Sequence, residues 1–334
     1  MATTGVTQPV RRSSTGVLLE SVLKWREISI LLVAVLLIAY FEAENRDFLL
    51  TSASLENLSQ FIAPAAIISF GEIMLMIGGE IDLSAGMIFA FAPFVMHFAV
   101  VAGMPAPVGL LLALLASGLI GVVNGVVTLF LRVPSFVTTL GTMFLLNGLT
   151  LTLSAGTPVD VPGSPGFQAF FGHWGYSEIC WAIVIGLMMH VLLRNTRWGL
   201  HTVASGGNPH GAAETGINVR RLKIGNFILS AVLSGFVGIL EGCRISSVDP
   251  QAGGSQIMFL AVASGVIGGT SLAGGSGTII GGLIGATVLG VLNDGFTLIG
   301  INAFTFNIIL GAAILIAMVF NIHMTRLSRL GGAR

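Results

Sequence analysis

The chain of 334 residues is poor in charge, with only 9% Asp, Glu, Lys and Arg. A water-soluble domain carries roughly 25%, because its surface must be solvated. Fifteen basic and fifteen acidic residues cannot cover a soluble particle of this size, which excludes a cytosolic enzyme and a disordered chain. Net charge is zero, so the basic surplus of a nucleic-acid binder is also missing. Cysteine is scarce: Cys180 and Cys243 give neither a disulfide framework nor a metal-ligand spacing. There is no Gly-Lys-Ser/Thr phosphate loop, so the chain is not expected to hydrolyse ATP by itself. HExxH is absent and the six histidines are scattered, which leaves no catalytic or metal set. What is present is 54% hydrophobic residues and 45 glycines, the latter nearly twice the roughly 7% background. The fold class this implies is an all-α polytopic membrane protein.

A helix needs about 20 apolar residues to cross the hydrocarbon layer. Apolar runs at 26–42, 60–78, 84–102, 107–131, 135–154, 177–194, 223–243, 256–272, 278–299 and 303–323 predict about ten spans. The eighth and ninth are ambiguous, because Gly265 to Gly285 reads equally as a broken helix, a re-entrant loop or two spans. The first run leads into Glu42, Glu44, Arg46 and Asp47 without a small-residue cleavage site. A retained first span fits better than a signal peptide. Arg132, Arg194, Arg197, Arg220, Arg221, Lys223, Arg326, Arg329 and Arg334 fall on one side if both termini are cytoplasmic, leaving Arg46 and Arg244 outside. The expected organisation is a tail at 1–27, one transmembrane domain at 28–323 with a cytoplasmic loop at 195–222, and a second tail at 324–334.

Gly121-Val122-Val123-Asn124 recurs as Gly290-Val291-Leu292-Asn293, an offset of 169. Ile77-Gly78-Gly79 recurs as Ile267-Gly268-Gly269 at an offset of 190. On a ten-span count the first echo lies in oppositely directed spans, which predicts two inverted five-helix halves.

Charged residues inside apolar runs are candidates for function, since each must be paired, hydrated or neutralised. Glu72 and Asp294 lack an obvious local partner and read either as buried anchors or as pathway residues. Glu241 has Arg244 one helical turn away, a structural pair. The segment IGGEIDLSAG, 77–86, joins two apolar runs with almost no loop. Its Glu80, Asp82 and Ser84 serve either a tight turn capping the next helix or transport itself. Asn124 and Asn293 offer hydrogen bonds between helices or to a hydroxylated solute. In the long basic-flanked loop, Gly206, Gly207, Asn208 and Pro209 form a turn, and a short helix from Pro209 ends at Gly216. Ala212 and Ala213, among polar neighbours such as Glu214 and followed by Ile217, read as a surface for another protein.

Four blocks carry a family resemblance: 77–86; VPSFVTTLGTMFLLNGL at 133–149; GGNPHGAAETGINVRRLKI at 206–224; and VIGGTSLAGGSGTIIGGLIGATVLGVLNDGFTLIGI at 266–301. Together they resemble the permease subunits of binding-protein-dependent ABC importers of the ribose, xylose, arabinose and galactose branch. The resemblance implies a homodimer in a bacterial inner membrane, embedded in lipid, with the solute route at the dimer interface. It implies a periplasmic or lipid-anchored sugar-binding protein outside and a separate ATPase inside, which carries the ATP and Mg; no nucleic acid is involved. By the same resemblance, residues 206–221 couple to that ATPase. The chain departs from the family pattern at Glu80, where a third glycine is usual, at Asp294, where a second Asn is common, and at Ser276. The expected cargo is a monosaccharide, pentose or hexose, or a sugar alcohol, and the extra carboxylates make a different pentose, a sugar alcohol or another small polyol as good an expectation as ribose. The alternative is a proton-coupled secondary transporter using Glu72 or Asp294.

Overall fold

A computed structural model of the chain describes residues 26–44 and 51–302, with isolated positions from 305 to 316. Helices dominate: α1 (Arg26–Glu44), α2 (Ser52–Ile77), α3 (Ala85–Val101), α4 (Ala106–Phe130) and α5 (Ser135–Ser154) come first. A two-residue strand β1 (Val159–Asp160), α6 (Pro165–Gln168) and a π turn (Ala169–His173) follow. Then come α7 (Ser177–Asn195), α8 (Arg197–Gly207), α9 (Pro209–Glu214) and α10 (Val219–Ile245). The strand β2 (Ser247–Val248), α11 (Gly254–Ile267) and α12 (Ile279–Leu298) complete the described elements. The tails assigned to 1–27 and 324–334 and the last apolar run at 303–323 lie almost wholly outside the described residues.

Among the described residues, six helices are long and apolar enough to cross a membrane: α2, α4, α5, α7, α10 and α12. Two expected spans are shorter. α3 has 17 residues and α11 has 14, and at 1.5 Å per residue α11 covers only about 21 Å. The eighth run, expected as 256–272, stops at Ile267 because Gly268 and Gly269 cap it. Gly269 has φ +87°, a left-handed conformation that costs glycine nothing. The second expected span begins at Ser52 rather than at 60, with Thr51 accepting from the Ser54 amide as its N-cap.

α2 is the axis of the molecule. From Ile62 to Ile77 every residue is buried, as expected of a helix apolar on all sides. α10 lies antiparallel against it, shown by the contacts of Gln60 with Arg244, Glu72 with Ser230 and Met74 with Asn226. α10 also packs on α3 and α4, and α12 on α2 and α11. Added Cβ atoms at Gly71 and Gly121 would run into the backbone of Ser230 and of Phe227 and Ile228, so these helices approach at backbone distance. Outward faces are apolar: Leu115 and Leu119 on α4, Phe144 and Leu145 on α5, and Leu187 and Met188 on α7 are each at least 60% exposed. No aqueous surface would keep so continuous an apolar belt. The segment 155–176 forms a small cover in which β1 pairs antiparallel with β2 (Val159↔Val248) over the C-terminal end of α10.

The halves share a spacing. Adding 169 to the bounds of α2, α3 and α4 gives 221–246, 254–270 and 275–299, close to the bounds of α10, α11 and α12. The other echo is a repeated helix ending. Gly78, Gly79 and Glu80 donate to Met74, Met76 and Leu75, as Gly268, Gly269 and Thr270 donate to Ser264, Val266 and Gly265.

Candidate functional site

Three places concentrate polar groups inside this apolar fold. The first is the break between α2 and α3. Glu72 and Asp82 are both fully buried, and neither has a cationic partner among the described residues. Their oxygens are met by donors instead. Ser230 Oγ donates to Glu72 Oε1 (3.0 Å), and the Asp82 amide donates to Glu72 Oε2 (3.2 Å). Asp82 Oδ1 accepts from the Ser84 amide (2.8 Å) and from Ser84 Oγ. Asn124 Nδ2 donates to Ser84 Oγ (2.9 Å), while Asn124 Oδ1 accepts from Thr142 Oγ1 (2.6 Å). The Leu83 amide reaches Thr139 Oγ1 (3.0 Å). A loop inside a membrane protein must find a partner for each backbone donor; here Glu72 of α2 and Thr139 of α5 accept from the Asp82 and Leu83 amides, while α4 and α10 donate to the side-chain oxygens. Ser84, at the N-cap position of α3, makes no capping bond of its own; Asp82 holds the turn.

Of the sequence-predicted residues, Glu72, Asp82, Ser84 and Asn124 therefore come together, and three do not join them. Glu80 turns the other way to pair with Lys223 Nζ at 2.7 Å, both side chains 13% exposed. Asp294 accepts from Ser54 Oγ (3.3 Å) at the far end of α2. Asn293, the counterpart of Asn124 in the echo, is only partly buried and lies on α12, away from the break.

The second place is the block after α7. Residues 195–222, expected as a loop with one short helix, fold as two helices, α8 and α9. Asn208 caps α9, its side chain accepting from the Gly211 amide (3.0 Å), with Pro209 in the first turn. Gly216 (φ +89°) ends it, and Ile217 donates back to Ala212 O. Ala212 corrects the expectation of an alanine surface: it is buried against its own chain, whereas His210, Ala213 and Glu214 are exposed. Gly206 sits where a Cβ would overlap Ile77 O and come close to the Gly275 amide, and that amide donates to Ile77 O (2.8 Å). Thus the ends of α2 and α8 meet the 268–278 loop at backbone distance, with the Ile77 side chain beside Gly277.

The third place escaped the sequence. A cavity of about 370 Å³ opens at the other end of α2, between α2, α10 and α11. Its polar wall is Asn57, Gln60, Glu241, Arg244 and Gln256, and its apolar floor includes Phe61, Phe89 and Leu260. Arg244 binds Glu241 through Nε (2.9 Å) and through a second nitrogen, and donates to Gln60 Oε1 (3.2 Å). The Glu241–Arg244 pair was legible from its spacing. Gln60 and Gln256 were not, since an amide in an apolar run gives no signal without the partner helix. Lys223 and Arg244 sit at opposite ends of α10, so the cavity opens on the face opposite to α9.

A protein-family profile described as "Branched-chain amino acid transport system / permease component" matches residues 54–318. The xylose/arabinose import permease protein of Sulfolobus acidocaldarius is 36% identical over 314 residues, covering 90% of this chain and 86% of that protein. The ribose import permease protein of Escherichia coli is 34% identical over 296 residues, with 86% and 91% covered. The L-arabinose ABC transporter permease protein of Azospirillum brasilense is 32% identical over 295 residues, with 87% and 86% covered. No solved structure matches the chain. The match over most of the fold, the six long apolar helices and the apolar belt make this a multi-pass membrane protein, and the chain belongs to the ABC import permease family, in the branch that holds the ribose, xylose and arabinose permeases.

Proposed function

We propose that the chain is the membrane subunit of an ATP-driven importer that carries a monosaccharide, a pentose first among candidates, into the cell. The observation that carries this reading is the 36% identity to a xylose/arabinose import permease across 90% of the chain. The profile's own description names branched-chain amino acids, but the sugar permeases are matched along nearly their whole length. ATP and Mg belong to a partner ATPase that docks at α9, where Ala213, His210 and Glu214 are exposed on a capped, rigid turn. A sugar-binding protein delivers solute at the opposite face, where the cavity opens. Both termini are cytoplasmic, two copies form the transporter, and about ten spans fall into two inverted halves. The antiparallel packing of α2 and α10 and the shared spacing of 169 support that inversion.

The polar network at 72–84 is read as the fixed seat of the helix break. Each of its carboxylates is bonded inward, and none of its residues lines the cavity. That arrangement argues against the proton-coupled alternative, because Glu72 is sealed between Ser230 and the Asp82 amide with no opening to either side. Neither Glu80, held by Lys223, nor Asp294, held by Ser54, lines the cavity as a diol acceptor.

Reconstitution in proteoliposomes tests the reading. Radiolabelled D-xylose, L-arabinose or D-ribose is expected to accumulate only when the chain, its ATPase, the binding protein and ATP are all present. Accumulation by the chain alone, abolished by a proton uncoupler, would reverse it. Ala213→Arg is expected to lower uptake about tenfold while leaving the melting temperature of the purified permease unchanged, since an exposed position contributes little to stability.

A further inference from the structure

The buried carboxylate of Glu178 has no role in anything described so far. It stands in the first turn of α7 with its side chain 2% exposed, and neither oxygen has a hydrogen-bond partner among the described residues. Its cationic neighbour is Arg244, at 3.6 Å, and the Glu241 carboxylate also lies close enough to act on it. Arg244 is thus flanked by two carboxylates: Glu241 on the cavity wall, which it binds closely, and Glu178 behind it, which it does not. A buried acid without a donor is costly, and a structural ion pair needs only one acid.

We infer that the cavity is a solute site within the permease itself, in which Glu241 exchanges its bond to Arg244 for the hydroxyls of a sugar while Glu178 holds the arginine's charge. The inference rests on the importer reading above and deepens it. Carboxylates accept hydrogen bonds from neighbouring hydroxyls, and an arginine freed on one side donates to a ring or hydroxyl oxygen. Amides such as Gln60 and Gln256 do both, which suits a hydroxyl that is itself donor and acceptor. The rings of Phe61 and Phe89 offer an apolar face to the C–H side of a sugar ring. A volume of 370 Å³ lies in the range of small-molecule sites, about 300–1,000 Å³, and leaves room for water beside a pentose. Without Glu178, the move of Glu241 would leave the partly buried guanidinium with no acid beside it. The second acid makes the exchange near neutral, so a weak ligand can drive it. Selection of the solute is then shared between the binding protein and this wall.

The test uses the full-length permease, with Cys180 and Cys243 replaced by serine and Ala252→Cys placed on the cavity wall. A water-soluble maleimide labels that cysteine, and D-xylose, L-arabinose and D-ribose are added in turn. A millimolar site slows labelling about tenfold at roughly 10 mM ligand, and Gln256→Leu or Glu241→Gln in the same background removes the protection. Glu178→Gln removes it too, by leaving Arg244 bound to its one remaining acid. Labelling that is insensitive to all three sugars, or protection that survives Gln256→Leu and Glu241→Gln, overturns the inference. If the serine background fails to fold, the same cysteine is tested with native Cys243 restored, which is buried. The importer reading stands or falls separately, on whether uptake by the complete transporter needs ATP.

Discussion

Asp82 shows how a carboxylate can be at once the most conspicuous residue of a membrane sequence and a structural one. Its Oδ1 organises the Ser84 amide and hydroxyl, and its own amide is taken by Glu72. Asp82→Ala leaves those buried donors without an acceptor and is expected to cost about 2–4 kcal/mol. Asp82→Asn, which keeps one carbonyl oxygen in place, should cost about 1 kcal/mol. The ordering of their melting temperatures in detergent checks the claim; equal values would mean that the turn holds by itself. The pair Glu80–Lys223 makes a second residue-scale prediction. Each single neutralisation is expected to lose about 1–2 kcal/mol, and Glu80→Lys combined with Lys223→Glu should recover most of it. A double mutant no more stable than the singles would place the bridge outside the energetics of the fold.

At the scale of elements, the informative feature is where helices stop. α2 and α11 end on the same three hydrogen bonds and the same left-handed glycine, Gly79 and Gly269. Gly79 has open space where a Cβ would go, so Gly79→Ala pays only for its backbone angle, about 1–2 kcal/mol. Gly86 is the opposite case. A Cβ there would overlap the carbonyl oxygen of Gly254, where the first turns of α3 and α11 meet, and Gly86→Ala is expected to cost at least about 3 kcal/mol. Thermal unfolding of the two variants separates backbone strain from helix crowding. This level was partly legible beforehand. Apolar runs located the long helices because a span needs length and low charge, and Asn208, Pro209 and Gly216 announced α9 through its caps. α8 was missed because its glycines and polar residues resemble a loop, and the early stop of α11 was ambiguous because glycine serves span interiors and helix ends alike. The candidate site was legible where one segment held both partners, as with Glu241 and Arg244. It was opaque where partners lie far apart in sequence, as with Gln60, Glu178 and Gln256, which only packing brings together.

For the whole molecule, charge placement makes the strongest claim. On the proposed topology, the basic end of α10 with α8 and α9 lies on the cytoplasmic face, and the β1–β2 cover with the cavity on the outer face. In intact cells of a variant lacking the native cysteines, Trp174→Cys should react with an impermeant maleimide, and Val203→Cys only after permeabilisation. The reverse pattern would invert the topology. At the α8–α9 face lies the contact of Ile77, Gly206 and Gly275, in which carbonyls and amides meet directly. Such a joint admits no added carbon, so its fit is geometric. On the proposed docking at α9, a push delivered there meets α2 across this joint and not across the cavity wall. On the proposed reading, cargo preference and drive are therefore free to drift independently: a lineage could exchange Gln60 or Gln256 on the cavity wall without touching this joint.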